Sequence, residues 1–300
     1  MNSQDLIWPN FYIVGAERCG TSSLHEHLRK HPQVFLPEKK EPEFFATNAP
    51  PGEAMRFWEG QFCSTLEEYQ ALYRGSKGHI AIGDASTGYL WDENAARRIY
   101  EVCPEAKIII ILRDPVARAF SAYMMLRRYG ADTARTFSEA LIQDSGRHKT
   151  TWFTSFLYIE CGLYCAQIRR YFERFGRDRV LVLLFEDLVR DPGTVFVRIG
   201  THIGIDPSLF AATDLSEPSN AFKMPRSLLA YRVAGLLGLR SKLLSPTIRK
   251  RLSNSFLFKK DKPQVDLKSR LYLQEIYAPD ILCLEELLGR KLPELRKSWV

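Results

Sequence analysis

A glycine-bounded loop near the amino terminus carries the residues whose types and spacing most clearly indicate chemistry. The segment from Gly15 to Ser22, GAERCGTS, follows a short apolar run and precedes a stretch with helical spacing. In a strand-turn-helix unit of this kind, the backbone N–H groups and the positive end of the helix dipole converge on one point. Arg18 adds a fixed positive charge inside the loop. The loop therefore predicts a binding site for an anion.

The glycine spacing is that of a Walker loop, but the other residues are different. A Walker loop reads GxxxxGK[ST], with a lysine for the β and γ phosphates and a hydroxyl for magnesium. Thr21 stands at the lysine position, and hydroxyls follow at Ser22 and Ser23. These residues predict a cradle for a doubly charged phospho-group without a metal. On spacing alone, a tight strand-to-helix turn without a ligand is a fair alternative.

A second basic position follows the strongest apolar run, KIIIIL. Arg113 comes directly after that run, at the carboxyl end of a predicted strand, where open α/β sheets bind ligands. Asp114 and Pro115 then have the residue types of an N-cap and a first helical position. Ser121, about two turns into the helix, could share a phosphate with Arg113. Taken singly, a salt bridge for Arg113 and a helix contact for Ser121 are the better interpretations.

The elements that position these residues alternate along the chain. Apolar runs predict strands, and segments with helical spacing lie between them; the strands are 11–14, 80–84, 107–112 and 179–185. This order indicates a parallel α/β sheet with right-handed crossovers. From Asp206 onward no strand is predicted, and helical segments near 228–237, 267–277 and 281–288 indicate that 206–300 is a mainly helical part of the same single domain, 1–300. The polar segment 129–158 has the pattern of a substrate loop or lid, or of an ordinary surface excursion.

Composition limits the classes of protein. The 300 residues are 45% hydrophobic and 26% charged, as is usual for globular chains. The net charge of +7 suits phosphate-bearing partners without requiring nucleic acid. No apolar run reaches the roughly 20 residues that span a bilayer, and the first residues lack the pattern of a secretion signal. The six cysteines show neither a CxxC pair nor zinc spacing, which predicts mostly reduced thiols in a cytoplasmic protein without a metal site.

Several segments in order resemble one known family. GAERCGTSSL followed by HP, then KKEPEFF, and later LRDPVARAFSAY, resemble the sulfotransferases that use 3'-phosphoadenosine 5'-phosphosulfate (PAPS). The resemblance is to the branch with the bacterial and heparan-type carbohydrate enzymes. It extends over most of the chain, including GDASTGYL, LVLLFEDL, NAFKMPRS and YAPDILCLEELLGRKL. It implies a P-loop-like three-layer α/β fold, in which helices flank a central parallel sheet and the donor lies along the strand ends.

The resemblance also implies roles for individual residues. The loop residues that match the 5'-phosphosulfate site are Arg18, Cys19, Gly20, Thr21, Ser22 and Ser23. Arg113 and Ser121 match the pair that holds the 3'-phosphate, and Arg226 resembles a basic residue that assists there. Glu41, in KEPEFF, matches the catalytic base of heparan-type members. From composition alone, Glu41 is a surface glutamate in a charged loop, and the adjacent Phe44 and Phe45 are expected to anchor that loop to the core.

Two residues depart from the pattern of this branch. Arg18 stands where most similar members have lysine; because arginine is a poor proton donor, we expect an electrostatic clamp and not a general acid. Glu43 stands where histidine is common, and it either raises the pKa of Glu41 or points to water.

Other residues receive weaker assignments. Cys19 is expected to be a small filler whose amide contacts the donor. We expect Asp84 and Ser86 to end a strand facing the cleft. The histidines 25, 27 and 31 are expected at exposed helix positions without a role.

These observations predict transfer of a sulfuryl group from PAPS to a hydroxyl of a carbohydrate or of a glycosylated or lipidic small molecule. The sequence does not identify the acceptor or the oligomeric state. Aromatic side chains could stack on a ring of the acceptor or pack in the core: Phe57, Trp58, Trp152, Phe153 and Phe156. Two alternatives stay open. One is an inactive nucleotide-binding module, and the other is a nucleotide kinase with a degenerate Walker loop.

Overall fold

The computed structural model describes residues 6–47, 62–144, 146–147, 154–212, 224–225, 258–259 and 263–299. Arg226, the helix predicted near 228–237 and four of the five aromatic residues proposed for the acceptor lie outside these ranges. The fifth, Phe156, is buried at 3% exposure. It therefore packs in the core, which is the second of the two expectations for these side chains.

A five-stranded parallel sheet forms the centre of the molecule. In chain order its strands are β1 Phe11–Gly15, β2 Val34–Phe35, β3 Ala81–Ala85, β4 Lys107–Leu112 and β5 Val180–Leu184. They lie in the order β2-β3-β1-β4-β5. Strands β1 and β4 are central and almost wholly buried, as expected for apolar runs without alternation. The carboxyl ends of these two neighbouring strands therefore meet at one edge of the sheet.

Helices connect and cover the strands. In the described ranges the helices are, in chain order, α1 Thr21–Leu28, α2 Leu66–Ala71, α3 Ala95–Val102, α4 Pro115–Tyr129, α5 Phe137–Asp144, α6 Tyr164–Phe175, α7 Phe185–Arg190, α8 Pro192–Ile203 and α9 Leu267–Leu288. The predicted fold class, a central parallel sheet between helices with a helical carboxyl-terminal part, is confirmed. The short elements β2, α2 and α7 were not predicted, because two to six residues give no readable period.

Helix α4 begins as its sequence predicts. The Asp114 carboxylate accepts hydrogen bonds from the backbone N–H groups of Val116 and Ala117, and Pro115 occupies the first helical position. Gly130 ends the helix in the left-handed conformation with φ 72°. Because β4 leads straight into this capped helix, Arg113 and the first two turns of α4 keep a fixed geometry at the strand end.

Two predictions for the carboxyl-terminal part were wrong. Residues Met224–Pro225 and Phe258–Lys259 form β6 and β7, an antiparallel pair too short to leave a pattern. The two segments predicted near 267–277 and 281–288 are one helix, α9, which continues through Pro279. The Asp280 carboxylate accepts from the N–H groups of Tyr164 and Cys165 at the start of α6, so packing on α6 holds α9 together across the proline.

The sequence predicts mostly reduced thiols, and four of the six cysteines are free. The free thiols are Cys19, Cys63, Cys103 and Cys161. Cys165 of α6 and Cys283 of α9 form a disulfide, with 6.0 Å between their Cα atoms. These residues are 118 positions apart in the chain, so only the packing of the two helices brings them together. Disulfides are uncommon in cytosolic proteins, which weakens the argument that cysteine usage gave for the cytoplasm.

Candidate active site

The loop between β1 and α1 has the geometry of an anion cradle. Arg18 and Gly20 have positive φ values of 67° and 94°, which turn the chain sharply before the helix. Gly20 is the N-cap of α1 and supplies no side-chain capping bond. The Ser23 N–H donates to the Gly20 carbonyl at 3.0 Å, whereas the N–H groups of Thr21 and Ser22 donate to no described residue. These two amides at the start of α1 stay available to a ligand. A Cβ atom on Gly20 would lie 2.9 Å from Cδ2 of Phe185, so only glycine fits there.

The hydroxyls of the first helical turn lie beside this cradle. Among the described residues, the Thr21 and Ser22 side chains have no hydrogen-bond partner, whereas the Ser23 hydroxyl lies 3.4 Å from Nδ1 of His27. Cys19 is fully buried, and burial raises the pKa of its thiol to about 12. The thiol therefore stays protonated, as expected of a small packing residue and not of a nucleophile.

Arg18, Arg113 and Ser121 come together although the chain separates them widely. Nε of Arg18 donates to Oγ of Ser121 at 3.2 Å, and Nη1 of Arg113 donates to the backbone carbonyl of Arg18 at 3.3 Å. The Arg113 guanidinium lies over the Phe185 ring, 4.8 Å from its centroid. Within the described part of the chain, Arg113 forms no ion pair with a carboxylate, so the salt bridge that was its alternative is not observed.

Glu41 lies on a neighbouring loop, fixed by its own backbone and by two side chains. Its N–H donates to the carbonyl of Ala85 at the end of β3, and it has a positive φ of 60°. The Lys40 ammonium forms an ion pair with Oε1 of Glu41, and the Thr87 hydroxyl donates to the same oxygen at 3.1 Å. Burial acts to raise the pKa of Glu41, but Lys40 and Thr87 outweigh it and hold the pKa below its usual value. Glu41 is therefore ionised near neutral pH, as a general base must be.

Glu43 behaves differently from both alternatives given for it. Its Oε1 accepts from the Gly88 N–H at 3.0 Å, and its buried Oε2 receives no hydrogen bond from the part of the chain that the structure describes. Burial, and then the charge of Glu41, raise the pKa of Glu43 well above its usual value. The two carboxylates do interact, but it is the pKa of Glu43 that is raised, whereas that of Glu41 is lowered.

The aromatic pair after Glu41 anchors this loop, as the sequence predicts. Phe44 stacks on Tyr69 with ring centroids 4.4 Å apart, and Phe45 is 2% exposed. Asp84 does not offer a free carboxylate to the cleft, because it accepts hydroxyl bonds from Tyr69, Tyr89 and Ser86. Burial raises the pKa of Asp84 to about 6.

The prediction that three histidines are exposed was wrong. His25, His27 and His31 are 4%, 2% and 1% exposed, and each bonds to a backbone carbonyl, those of Pro37, Ser23 and Asp206 respectively. The reason is that α1 packs with most of its surface inward, and that His31, three residues past its end, packs against the Phe210 ring at 4.6 Å. Burial, and then the charge of Lys40, lower the pKa of His25 to about 4, so that ring is neutral.

Arg118 is a buried charged residue and Glu17 a partly buried one, and neither is predicted from the sequence. Arg118 is 0% exposed, and among the described residues only its Nη2 finds a hydrogen-bond partner, the Tyr158 carbonyl at 3.5 Å. Oε1 of Glu17 accepts from the Ser155 hydroxyl at 2.7 Å. A charged residue inside an otherwise small and apolar turn, next to Arg18, was the only signal for Glu17.

Comparison with known proteins identifies the family. Residues 9–208 match the model of the sulfotransferase family, and the chain belongs to that family. A solved sulfotransferase from Alicyclobacillus acidocaldarius is 32% identical, with a TM-score of 0.73, over 97% of this chain and 100% of that one. Both the family and the class of enzyme predicted from the sequence, a sulfotransferase, are thereby confirmed.

Two further relatives are more distant. The mouse bifunctional heparan sulfate N-deacetylase/N-sulfotransferase 4 is 25% identical over 97% of this chain and 31% of its own length. Among eight of the curated relatives that it matches, the chain spans between 22% and 53% of their length. A structure of mouse sulfotransferase SULT7A1 complexed with PAP shares the fold, with a TM-score of 0.51 and 16% identity over 93% of this chain and 89% of that one.

Within the described ranges, no helix is long and apolar enough to cross a membrane, and no group of three or more His, Cys, Asp or Glu side chains could hold a metal ion.

Proposed function

We propose that this protein transfers the sulfuryl group of PAPS to a hydroxyl of an acceptor that is a carbohydrate or a glycosylated or lipidic small molecule. The observation that carries the proposal is the convergence of Arg18, Arg113 and Ser121 at the mouth of the β1–α1 loop. Two guanidinium groups, a hydroxyl and open helix amides suit a nucleotide with phosphate at two positions. The PAP complex of a protein with the same fold and the carbohydrate named for a relative support the donor and the acceptor class.

The donor would be held at two points. The amides of the loop, Arg18 and the hydroxyls of Thr21, Ser22 and Ser23 suit the 5'-phosphosulfate. Arg113 and Ser121 suit the 3'-phosphate, and a contribution from Arg226 stays a prediction. Because its guanidinium meets Ser121 while its backbone belongs to the loop, Arg18 connects the two points.

The chemistry follows from the positions of Arg18 and Glu41. When bound, PAPS supplies the activated sulfuryl group. The oxygen of the acceptor hydroxyl bonds to sulfur while the bond from sulfur to the phosphate oxygen breaks. Glu41 accepts the proton that this hydroxyl loses. Arg18 and the loop amides stabilise the charge that develops on the leaving phosphate. Lys40 and Thr87 keep Glu41 ionised and oriented for this step.

The test is a screen of hydroxylated acceptors with radiolabelled PAPS, run with the wild type and Glu41→Gln side by side. We expect transfer by the wild type and a loss of about 10²- to 10⁴-fold in Glu41→Gln, because the general base is removed. Glu38→Gln, an exposed glutamate of the same loop, is the matched control and should keep full activity. Binding of PAP without transfer to any acceptor would instead indicate a nucleotide-binding module. The cytoplasmic location and the acceptor identity stay predictions.

A further inference from the structure

Tyr164, the first residue of α6, lies between the two anion-binding elements. Its side chain is fully buried, and its hydroxyl donates to the backbone carbonyl of Arg113 at 2.9 Å. The same hydroxyl lies 4.0 Å from the sulfur of Cys19 in the β1–α1 loop. Burial raises the pKa of the Tyr164 phenol well above its usual value, so the hydroxyl stays protonated and remains a donor. One buried hydroxyl therefore meets both the end of β4 and the loop after β1.

The hydrogen bond from Tyr164 fixes the backbone from which the Arg113 side chain extends. Arg113 stands between the last residue of β4 and Asp114, the N-cap of α4. Its carbonyl belongs to the peptide that joins it to Asp114, so the bond from Tyr164 holds the orientation of that peptide. At the other end of the residue, the guanidinium donates to the Arg18 carbonyl and lies over the Phe185 ring. Arg113 is therefore held both at its backbone and at its charged group.

The start of α6, which carries Tyr164, is itself firmly anchored. The N–H groups of Tyr164 and Cys165 donate to the Asp280 carboxylate of α9, at 2.7 Å and 3.2 Å. A carboxylate at the N-terminus of a helix is also favoured by the helix dipole. The disulfide between Cys165 and Cys283 joins the same two helices. Tyr164 is thus a fixed support, as a residue that positions another side chain must be.

A preorganised guanidinium binds a phosphate more tightly than a mobile one. When its donors already point to the phosphate, the free energy of binding does not include the cost of ordering a long side chain. Without the Tyr164 hydroxyl, the peptide after Arg113 is free to turn, and the guanidinium samples other positions. The 5'-phosphate side of the site should be unaffected, because a phenylalanine ring at position 164 keeps the packing against Cys19.

We propose that Tyr164 is a positioning residue that orients Arg113 toward the 3'-phosphate of the donor. In this way it sets the preference of the site for a nucleotide that carries a 3'-phosphate. The inference rests on the proposed function for the role of Arg113. Tyr164 itself touches neither the donor nor the acceptor.

The test compares the affinity for PAP with that for adenosine 5'-phosphate, which lacks the 3'-phosphate. Calorimetry on the full chain measures both affinities for the wild type and for Tyr164→Phe. We expect the wild type to bind PAP at least about tenfold more tightly than adenosine 5'-phosphate. In Tyr164→Phe the affinity for PAP should fall by about fivefold or more, whereas that for adenosine 5'-phosphate should change less than about twofold.

Tyr171→Phe is the matched control for loss of a buried hydroxyl. Tyr171 lies on the same helix and is fully buried, and its hydroxyl donates to the Tyr89 carbonyl at 2.8 Å. Both substitutions leave a backbone carbonyl without its donor, so both should lower the midpoint of chemical denaturation to a similar extent. Only Tyr164→Phe should lower the preference for PAP. A merely structural role of Tyr164 would move the denaturation midpoint and leave the preference unchanged.

A double-mutant cycle shows whether Tyr164 acts through Arg113. Arg113→Ala removes the group that Tyr164 positions, so the addition of Tyr164→Phe to it should change the PAP affinity less than about twofold. Asp280→Asn is an independent variant that keeps an oxygen for the N–H groups at the start of α6 but loses the charge. It should weaken the anchor of Tyr164 and lower the preference for PAP by about twofold or more.

Two results would overturn the inference: an unchanged preference for PAP in Tyr164→Phe, or effects of Tyr164→Phe and Arg113→Ala that are additive. If Tyr164→Phe does not fold, an unchanged preference in Asp280→Asn overturns it. A wild type that binds PAP no more tightly than adenosine 5'-phosphate refutes the proposed function as well, because Arg113 then recognises no 3'-phosphate. A wild-type preference that persists in Tyr164→Phe refutes the role of Tyr164 alone.

Discussion

The guanidinium of Arg18 donates to the hydroxyl of Ser121, 103 residues further along the chain, at 3.2 Å. This contact joins the β1–α1 loop to helix α4, and it unites the two anion-binding elements that the sequence suggested separately. A site that binds one nucleotide at two phosphate positions requires that the β1–α1 loop and helix α4 lie close together. The fold supplies it, because β1 and β4 are neighbours in the sheet and end at the same edge.

Arg18 should be the strongest contributor to stabilisation of the leaving group. Arg18→Ala should lower kcat by about 10²- to 10³-fold, because one preorganised charge is lost from the transition state. Arg18→Lys keeps the positive charge, so its kcat should lie between those of the wild type and Arg18→Ala. Steady-state kinetics with PAPS measure the effect, and Arg97→Ala on the exposed face of α3 is the control. Near-normal turnover in Arg18→Ala would remove Arg18 from the mechanism.

Lys40 should set the acidic limit of the activity. Glu41 works only when deprotonated, and the Lys40 ammonium helps to keep its pKa below the usual value, so wild-type activity persists to low pH. In Lys40→Met the pKa of Glu41 rises, and the acidic limb of the kcat/KM profile should move to higher pH. Lys39→Met is the matched control, because Lys39 contacts the Cys63 sulfur and not Glu41. An unmoved limb in Lys40→Met would contradict the assigned role of the ion pair.

Glu43 should make the protein less stable as the pH rises. Its pKa in the folded state is raised well above the usual value by burial and by Glu41, so the folded protein binds a proton that the unfolded chain releases. The contribution of Glu43 to the free energy of unfolding is therefore fully present below the pKa that Glu43 has in the unfolded chain. It is lost as the pH rises through the pKa that Glu43 has in the folded protein. Glu43→Gln removes this titration and keeps an oxygen for the Gly88 N–H.

Thermal denaturation between pH 4 and pH 9 measures the effect of Glu43. The Tm of Glu43→Gln should exceed that of the wild type at pH 8, and the difference should shrink or reverse near pH 4. Glu38→Gln should follow the wild-type curve. A constant difference in Tm between Glu43→Gln and the wild type across the range would show that Glu43 does not titrate as described.

Gly20 should be required both because its φ is positive and because a Cβ atom there would clash with Phe185. Gly204 also has a positive φ, 77°, but a Cβ there would meet nothing within 4 Å. Gly204→Ala therefore measures the conformational cost alone, roughly 1–2 kcal/mol. Gly20→Ala should cost more and should weaken PAP affinity at least tenfold, because the loop amides shift away from Phe185. Chemical denaturation measures the loss of stability, and calorimetry measures the affinity for PAP. Equal effects of Gly20→Ala and Gly204→Ala would contradict the role given to Gly20.

The sequence predicted the central elements well and the interactions of individual charges poorly. β4 was predicted with its observed bounds, because five consecutive apolar residues are readable without tertiary information, and the cap at Asp114 was equally local. The burial of His25 and the pKa of Glu43 depend on which distant segments pack against them. From the sequence alone, Glu17 looks like a solvated loop residue. Its hydrogen bond from Ser155, 138 residues further along the chain, is visible only in the folded structure.

The β1–α1 loop, Arg18 and Arg113 should together bind a doubly phosphorylated nucleotide without a divalent cation. Calorimetry with 3',5'-adenosine bisphosphate in the presence of EDTA measures this binding. We expect saturable one-site binding that is unaffected by magnesium and weakened at least tenfold in Arg113→Ala. No heat with the bisphosphate, together with tight binding of Mg-ATP, would contradict it.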